Sequence, residues 1–158
     1  MSVDPQVFRK TMSCFATGVT VVTARDAARA PVGLTVSAFS SLSLDPPLVL
    51  VCLDRRVRNL EAFRAGPFAV NVLAEDQSGI SQRFAEKRDD RFDGVPLISG
   101  DSEPPLLAGT LAAVVCNTHQ VVPSGDHEII IGSVTAATAD PDRRPLLHFS
   151  GRYGRLAT

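Results

Sequence analysis

Asp4-Pro5 places an N-cap before a first-turn proline, and Val7, Phe8, Met12 and Phe15 then recur at helical spacing. This predicts a short amphipathic helix at the start of the chain. From Gly18 the pattern turns to β-branched residues: Val19 to Thr23, Val32 to Leu44 and Leu48 to Leu53 read as three strands, each bounded by Gly, Pro or Asp. Asn59 to Arg64 has room for a helical turn or two before Gly66-Pro67, after which Phe68 to Leu73 is strand-like. A second helix is predicted over Asp76 to Glu86, where Ile80 and Phe84 share a face. The last third holds two long β runs, Thr110 to Val122 and His127 to Ala139, with Pro123-Ser124-Gly125-Asp126 as a four-residue hairpin connection. Many strands with few, short helices point to a mainly β fold, a β-barrel with helices packed outside. An open sandwich is the alternative.

A length of 158 residues can bury a sizeable core, and neither a repeat nor a low-complexity linker divides it, so residues 1–158 are expected to form one domain. With 16 basic against 17 acidic residues the net charge is −1, which gives no field to hold a nucleic acid backbone or an anionic bilayer. The longest apolar runs, Leu48 to Leu53 and Leu111 to Cys116, are far too short to span a membrane, and charges interrupt the N-terminus where a secretory signal needs an apolar core. A cytoplasmic location is therefore expected. Cys14, Cys52 and Cys116 are odd in number, widely spaced and set among apolar residues, so they read as small core residues in a reducing compartment.

Several chemistries lack their motifs. No three glycines fall at the G-x-G-x-x-G spacing and no Gly-Lys pair exists, which leaves neither a dinucleotide fingerprint nor a P-loop. His119, His127 and His148 are too scattered for a metal site, no C-x-x-C occurs, and Gln77-Ser78-Gly79 lacks the flanking glycine of a nucleophile elbow.

Candidate chemistry concentrates elsewhere. Read as one strand, Gly33 to Leu44 puts Thr35, Ser37, Phe39, Ser41 and Ser43 on one face and Val36, Ala38, Ser40, Leu42 and Leu44 on the other. A row of hydroxyls can satisfy phosphate or ring carbonyl oxygens without burying an unpaired charge, or can simply face solvent. Gly125-Asp126-His127 at the hairpin offers a histidine whose ring the aspartate can orient toward a planar ligand; the plain alternative is a turn aspartate beside an exposed histidine. Arg83-Phe84 and Arg91-Phe92 pair a guanidinium with an aromatic surface, suited to an anionic ligand or to a solvated helix face. His119 reads as packing or solvent-facing and His148 as structural. Tyr153, the only tyrosine, stands between Gly151 and Gly154 as a stacking lid or a C-terminal anchor.

In order along the chain, Phe15-Ala16-Thr17-Gly18-Val19 to Thr23, Gly33-Leu34-Thr35 through Asp45-Pro46-Pro47, Phe68 to Leu73, Arg91-Phe92-Asp93-Gly94-Val95, Gly125-Asp126-His127, Pro145-Leu146-Leu147 and Gly151-Arg152-Tyr153 resemble the short-chain flavin reductases. These are the reductase halves of two-component flavin-dependent monooxygenases, built on the FMN-binding split barrel. The resemblance covers nearly the whole chain. It implies a homodimer that reduces FMN or FAD with NADH or NADPH and hands reduced flavin to a partner monooxygenase by diffusion. It implies that Gly33, Leu34, Thr35, Val36, Ser37 and Ala38 meet the flavin ring and ribityl chain, that Ser40, Ser41, Cys52, Leu53, Asp54 and Asn59 hold the ring edge or phosphate, and that Arg83 and Phe84 complete the pocket. His127 would place the nicotinamide with Tyr153 nearby, and no residue serves as an acid, base or metal ligand. Val57 and Asn59 stand where relatives commonly carry Ser and Thr, and His148 where Tyr is frequent; the first departure bears on the choice between FMN and FAD, although the Asn59 amide can still donate.

The absence of a NADP-type basic cluster leans toward NADH, and a pocket with few lysines, only Lys10 and Lys87 in the chain, suits a flavin that must leave. Two related readings keep the flavin bound: an oxidase of a phosphorylated vitamer, or an FMN-binding electron carrier without turnover. A β-barrel interaction protein without flavin is the remaining alternative.

Overall fold

The computed structural model describes residues 3–101 and 103–157. Helix α1 (Pro5–Met12) begins as expected: the Asp4 carboxylate accepts hydrogen bonds from the amides of Gln6 at 2.8 Å and Val7 at 3.1 Å, satisfying donors that have no partner within the helix. Ten strands follow: β1 (Thr17–Gly18), β2 (Thr20–Arg25), β3 (Pro31–Val36), β4 (Phe39–Leu44), β5 (Pro47–Asp54), β6 (Pro67–Val72), β7 (Ala112–Ser124), β8 (His127–Ala139), β9 (Leu147–Phe149) and β10 (Arg152–Gly154). Helix α2 (Leu60–Ala65) separates β5 from β6, and α3 (Ser78–Ala85) follows β6.

Seven strands form one antiparallel sheet in the order β3-β2-β6-β7-β8-β5-β4, and β1-β9-β10 form a small second sheet. Val22, Val36, Val51, Phe68, Cys116 and Ile130, drawn from six of the seven strands, meet in one buried cluster. The sheet is therefore curled around its own core, with Leu60 and Phe63 of α2 packed into the same cluster. Its edge strands β3 and β4 are not hydrogen-bonded to each other, so the barrel is split there. Strand β2 is buried on both faces: Val22 and Ala24 enter the main core, while Val21, with Val19 just before the strand, meets Leu73, Phe84, Leu107 and Leu146 beneath α3. That is why it reads as an unbroken β-branched run rather than an alternation. Thr23 tolerates this burial because its hydroxyl donates to the Pro105 carbonyl, and Asn71 because its amide donates to the Val21 carbonyl at 3.1 Å and accepts from the Leu107 amide at 2.9 Å.

Four expectations change. The single strand over Val32 to Leu44 is two, broken at Ser37-Ala38, where the chain crosses from one sheet edge to the other. On β4 the core contact comes from Phe39, while Leu42 and Leu44, assigned to an apolar face, are 46% and 92% exposed beside a register shift between Ser41 and Ser43. The four-residue hairpin connection is a two-residue turn, since Ser124 and His127 already pair; Gly125 takes φ 61°, which a glycine adopts without strain. Cys14 is exposed rather than in the core, Cys52 is half-buried and Cys116 is buried, with all three thiols free. No helix among the described residues is long and apolar enough to cross a membrane.

Candidate flavin and nicotinamide site

Strand pairing decides which candidate residues can act together. Ser40 lies opposite Leu50, Leu50 opposite Ile131, Cys52 opposite Ile129 and Asp54 opposite His127. Directly opposed residues share a face, so Ser40, Cys52, Asp54 and His127 stand together on the outer face of β4-β5-β8. Val49, Val51 and Leu53 alternate with them into the core, and Leu53 is 1% exposed, so only its backbone can meet a ligand. The crossover joins this face to β3: the Ala38 carbonyl accepts from the Cys52 amide at 3.0 Å, leaving Ser37, Ala38, Ser40 and Ser41 exposed at the split. Burial pushes the Cys52 thiol above its ordinary pKa.

At the end of this face the Asp126 carboxylate lies 2.7 Å from His127 Nδ1. That contact holds Asp126 below the usual carboxylate range and leaves Nε2 as the ring nitrogen directed elsewhere. Asp54 is also held well below that range, by hydrogen bonds from the Arg56 guanidinium and then its amide. Behind His127 the parity reverses. Glu128 is 2% exposed and faces α2, where Arg64 binds it through Nε at 2.8 Å and through a second guanidinium nitrogen. Arg55 adds a contact at 3.8 Å, and the Arg64 hydrogen bonds keep the Glu128 carboxyl ionised below its ordinary range.

The outer face of β3 is covered. Thr35 donates its hydroxyl to the Ser81 carbonyl at 2.6 Å, and Gly33 lies under Phe84 and Phe92, whose rings meet edge to face at 4.9 Å. Phe84 is fully buried. Arg83 donates to the carbonyls of Asp90, Arg91 and Asp93, tying down the loop after α3. Of the two residues expected to complete the pocket, Phe84 is thus buried against β3 and Arg83 is engaged by main-chain carbonyls. A cleft of about 300 Å³ opens beside them instead, lined by Gly33, Leu34, Asn59, Arg58, Arg88 and Phe92 among others. Asn59 is exposed there with φ 63° and makes no side-chain cap to α2, so its amide is available to the cleft.

Tyr153 is placed by α3 rather than by His127: its hydroxyl donates to Ser81 Oγ at 2.8 Å and its ring meets His148 edge-on at 5.9 Å. His119 is exposed beside a register shift in β7. Among the described residues no group of His, Cys, Asp and Glu could hold a metal ion. Arg58 and Arg88 were not among the candidates from sequence. Arg58 sits between Val57 and Asn59, the two positions already singled out, whereas Arg88 is hidden in the mixed-charge run from Glu86 to Asp93.

An open-edged barrel whose outer face carries hydroxyls and a histidine beside an exposed crossover offers hydrogen-bonding groups to a planar ligand. Residues 12–157 match the flavin reductase like domain, and the chain belongs to that family. It is 48% identical over 134 residues to the "Probable flavin reductase" of Rhizobium meliloti (strain 1021), covering 84% of this chain but 43% of that protein. It is 39% identical over 153 residues to the flavin-dependent monooxygenase reductase subunit HsaB of Rhodococcus jostii (strain RHA1), covering 96% of this chain and 78% of that subunit. The Streptomyces globisporus C-1027 NADH:FAD oxidoreductase SgcE6, solved with NAD and FAD fragments, superposes with a TM-score of 0.90 at 37% identity over 99% of this chain and 97% of that one. The chain thus spans less than half the length of the first of these relatives and nearly all of the last.

Proposed function

We propose that this chain is an NAD(P)H:flavin oxidoreductase that reduces FMN or FAD and supplies reduced flavin to a separate monooxygenase. The observation that carries the reading is the split between β3 and β4, where Ser37, Ala38 and Ser41 lie exposed at the crossover and Ser40 shares the outer face with Cys52, Asp54 and His127. Hydroxyls and backbone groups there fit a flavin's carbonyls and ribityl oxygens without a buried charge. Gly33 to Val36 contribute backbone rather than side chains, since Thr35 is engaged by Ser81 and Val36 is in the core. Asn59, with Arg58 and Arg88, lines the cleft and offers an amide and guanidinium groups suited to the phosphate end. His127, oriented by Asp126, presents Nε2 to the nicotinamide amide. The two nucleotides supply the chemistry, a hydride passing from nicotinamide to flavin, and the protein's part is to hold two rings in contact. That role requires neither a catalytic triad nor a metal.

The active unit is a homodimer, and residues 1–158 act as one domain within it. On and after α1, Val7, Phe8, Met12 and Phe15 are 57%, 55%, 51% and 74% exposed, an apolar face that a second copy would cover. The test is NADH oxidation by the purified protein with and without FMN, FAD and riboflavin. Turnover that depends on added flavin establishes the reductase, and the ranking of the three flavins shows how strongly the phosphate end is read. FMN binding without NADH oxidation would move the assignment to a carrier or to an oxidase that keeps its flavin.

A further inference from the structure

Ser81, in the buried middle of α3, receives hydrogen bonds from two separate elements. Its carbonyl accepts the Thr35 hydroxyl from β3 at 2.6 Å, and its Oγ accepts the Tyr153 hydroxyl from β10 at 2.8 Å. Ser81 is 1% exposed and Tyr153 is 37% exposed. The phenol oxygen is therefore anchored inside the protein while part of the ring stands at the surface, bounded on one side by His148. The small sheet that carries Tyr153 shares no strand pairing with the seven-stranded sheet, so its side-chain anchor matters to where the ring points.

We propose that Ser81 is a positioning residue for flavin reduction: its Oγ fixes the Tyr153 ring beside the flavin-binding strand β3, in one orientation toward the bound nucleotides. The inference rests on the reductase reading and adds to it a residue that touches neither nucleotide. An unanchored ring samples several rotamers, and ordering it on binding costs entropy that appears in affinity rather than in the chemical step. Removing the Ser81 hydroxyl leaves the Thr35 bond in place, because that bond uses the main-chain carbonyl.

Ser81→Ala and Tyr153→Phe delete the same hydrogen bond from opposite ends, and Tyr153→Phe does so without disturbing the buried helix. Each is expected to raise KM for the same one of the two nucleotides by about three- to tenfold, with kcat within about twofold. The double variant should equal either single one. The chain holds one tyrosine and no tryptophan, so its intrinsic fluorescence reports Tyr153 alone, and the anisotropy of that emission should fall in Ser81→Ala. Tyr153→Ala, which removes the ring itself, should exceed both. Wild-type kinetics in the two single variants, additive effects in the double, or unchanged anisotropy would overturn the proposal while leaving the reductase reading intact. A wild-type protein that oxidises no NADH with any flavin would overturn both.

Discussion

Gly132 sets the tightest steric test of the barrel. It lies in β8 between Val49 and Thr118, and a Cβ added there would stand 2.5 Å from Phe68 Cζ and 2.8 Å from Cys116 Cβ. Carbon atoms pack best at about 3.5–4.0 Å, so the new methyl overlaps both neighbours by close to an ångström. Phe68 and Cys116 are themselves fully buried, and the Cys116 contact is to an atom fixed by the backbone. Overpacking of this kind costs about 1–3 kcal/mol, and these two contacts place Gly132→Ala at the upper end. Alanine also restricts the unfolded chain, which returns about 0.4–1 kcal/mol. The net expectation is a loss of about 2 kcal/mol, or a Tm lowered by about 4–8 °C. Urea unfolding should show a lower midpoint with unchanged slope. Phe68→Leu, destabilising alone, should recover part of the loss in combination, because it removes the ring contacts and leaves the Cys116 contact. Wild-type stability in Gly132→Ala, or strictly additive effects in the pair, would refute this packing account.

Three further expectations concern the outer face, the buried ion pair and the exposed face of α1. His127→Ala should raise KM for NADH by about tenfold while flavin affinity stays nearly unchanged, measured by steady-state kinetics and flavin titration; equal losses in both would make His127 a barrel-shaping residue. Glu128 has its pKa lowered by Arg64, so the unfolded state takes up its proton more readily. The stability this contributes is complete above the ordinary glutamate value and drains as pH falls below it. Urea midpoints from about pH 6 to about pH 3 should therefore decline less steeply in Glu128→Gln, starting from a lower plateau, and parallel curves would contradict the assignment. Phe8→Asp with Phe15→Asp should halve the mass seen by light scattering if α1 lies between two copies, and an unchanged mass would place the dimer contact elsewhere.

The strands were legible wherever burial imposes a period or a β-branched run. Val19 to Thr23 and Phe68 to Leu73 needed no tertiary knowledge, because both faces of β2 and β6 are covered. The break at Ser37-Ala38 was not legible, since neither a glycine nor a proline marks it and small residues suit a strand as well as a crossover. The same gap explains the misplaced apolar face: once the chain changes sheet edge, alternation counted from β3 no longer holds on β4. Arg83 and Phe84 looked like a ligand-facing pair, yet the carbonyls of Asp90, Arg91 and Asp93 that capture Arg83 come from a turn whose shape the sequence does not encode locally. His127 was legible because a Gly-Asp turn between two long β runs leaves little choice of position. The inward Glu128 was not, since its partner Arg64 lies far away in sequence.

His127 and Glu128 show how one strand serves both site and core. Alternation sends His127 to the outer face and Glu128 inward. The inward carboxylate is held by Arg64 of α2, the helix that begins immediately after Asn59 at the cleft. The same ion pair therefore ties the strand that carries His127 to the helix that follows Asn59, the residues proposed for the nicotinamide and for the phosphate end of the flavin. Such a link stiffens both ends of the site without placing a charge in it. Under the proposed function, hydroxyls and backbone on the barrel face, with Arg58, Asn59 and Arg88 at the phosphate end, would hold a flavin firmly enough to orient its ring and loosely enough to let it leave.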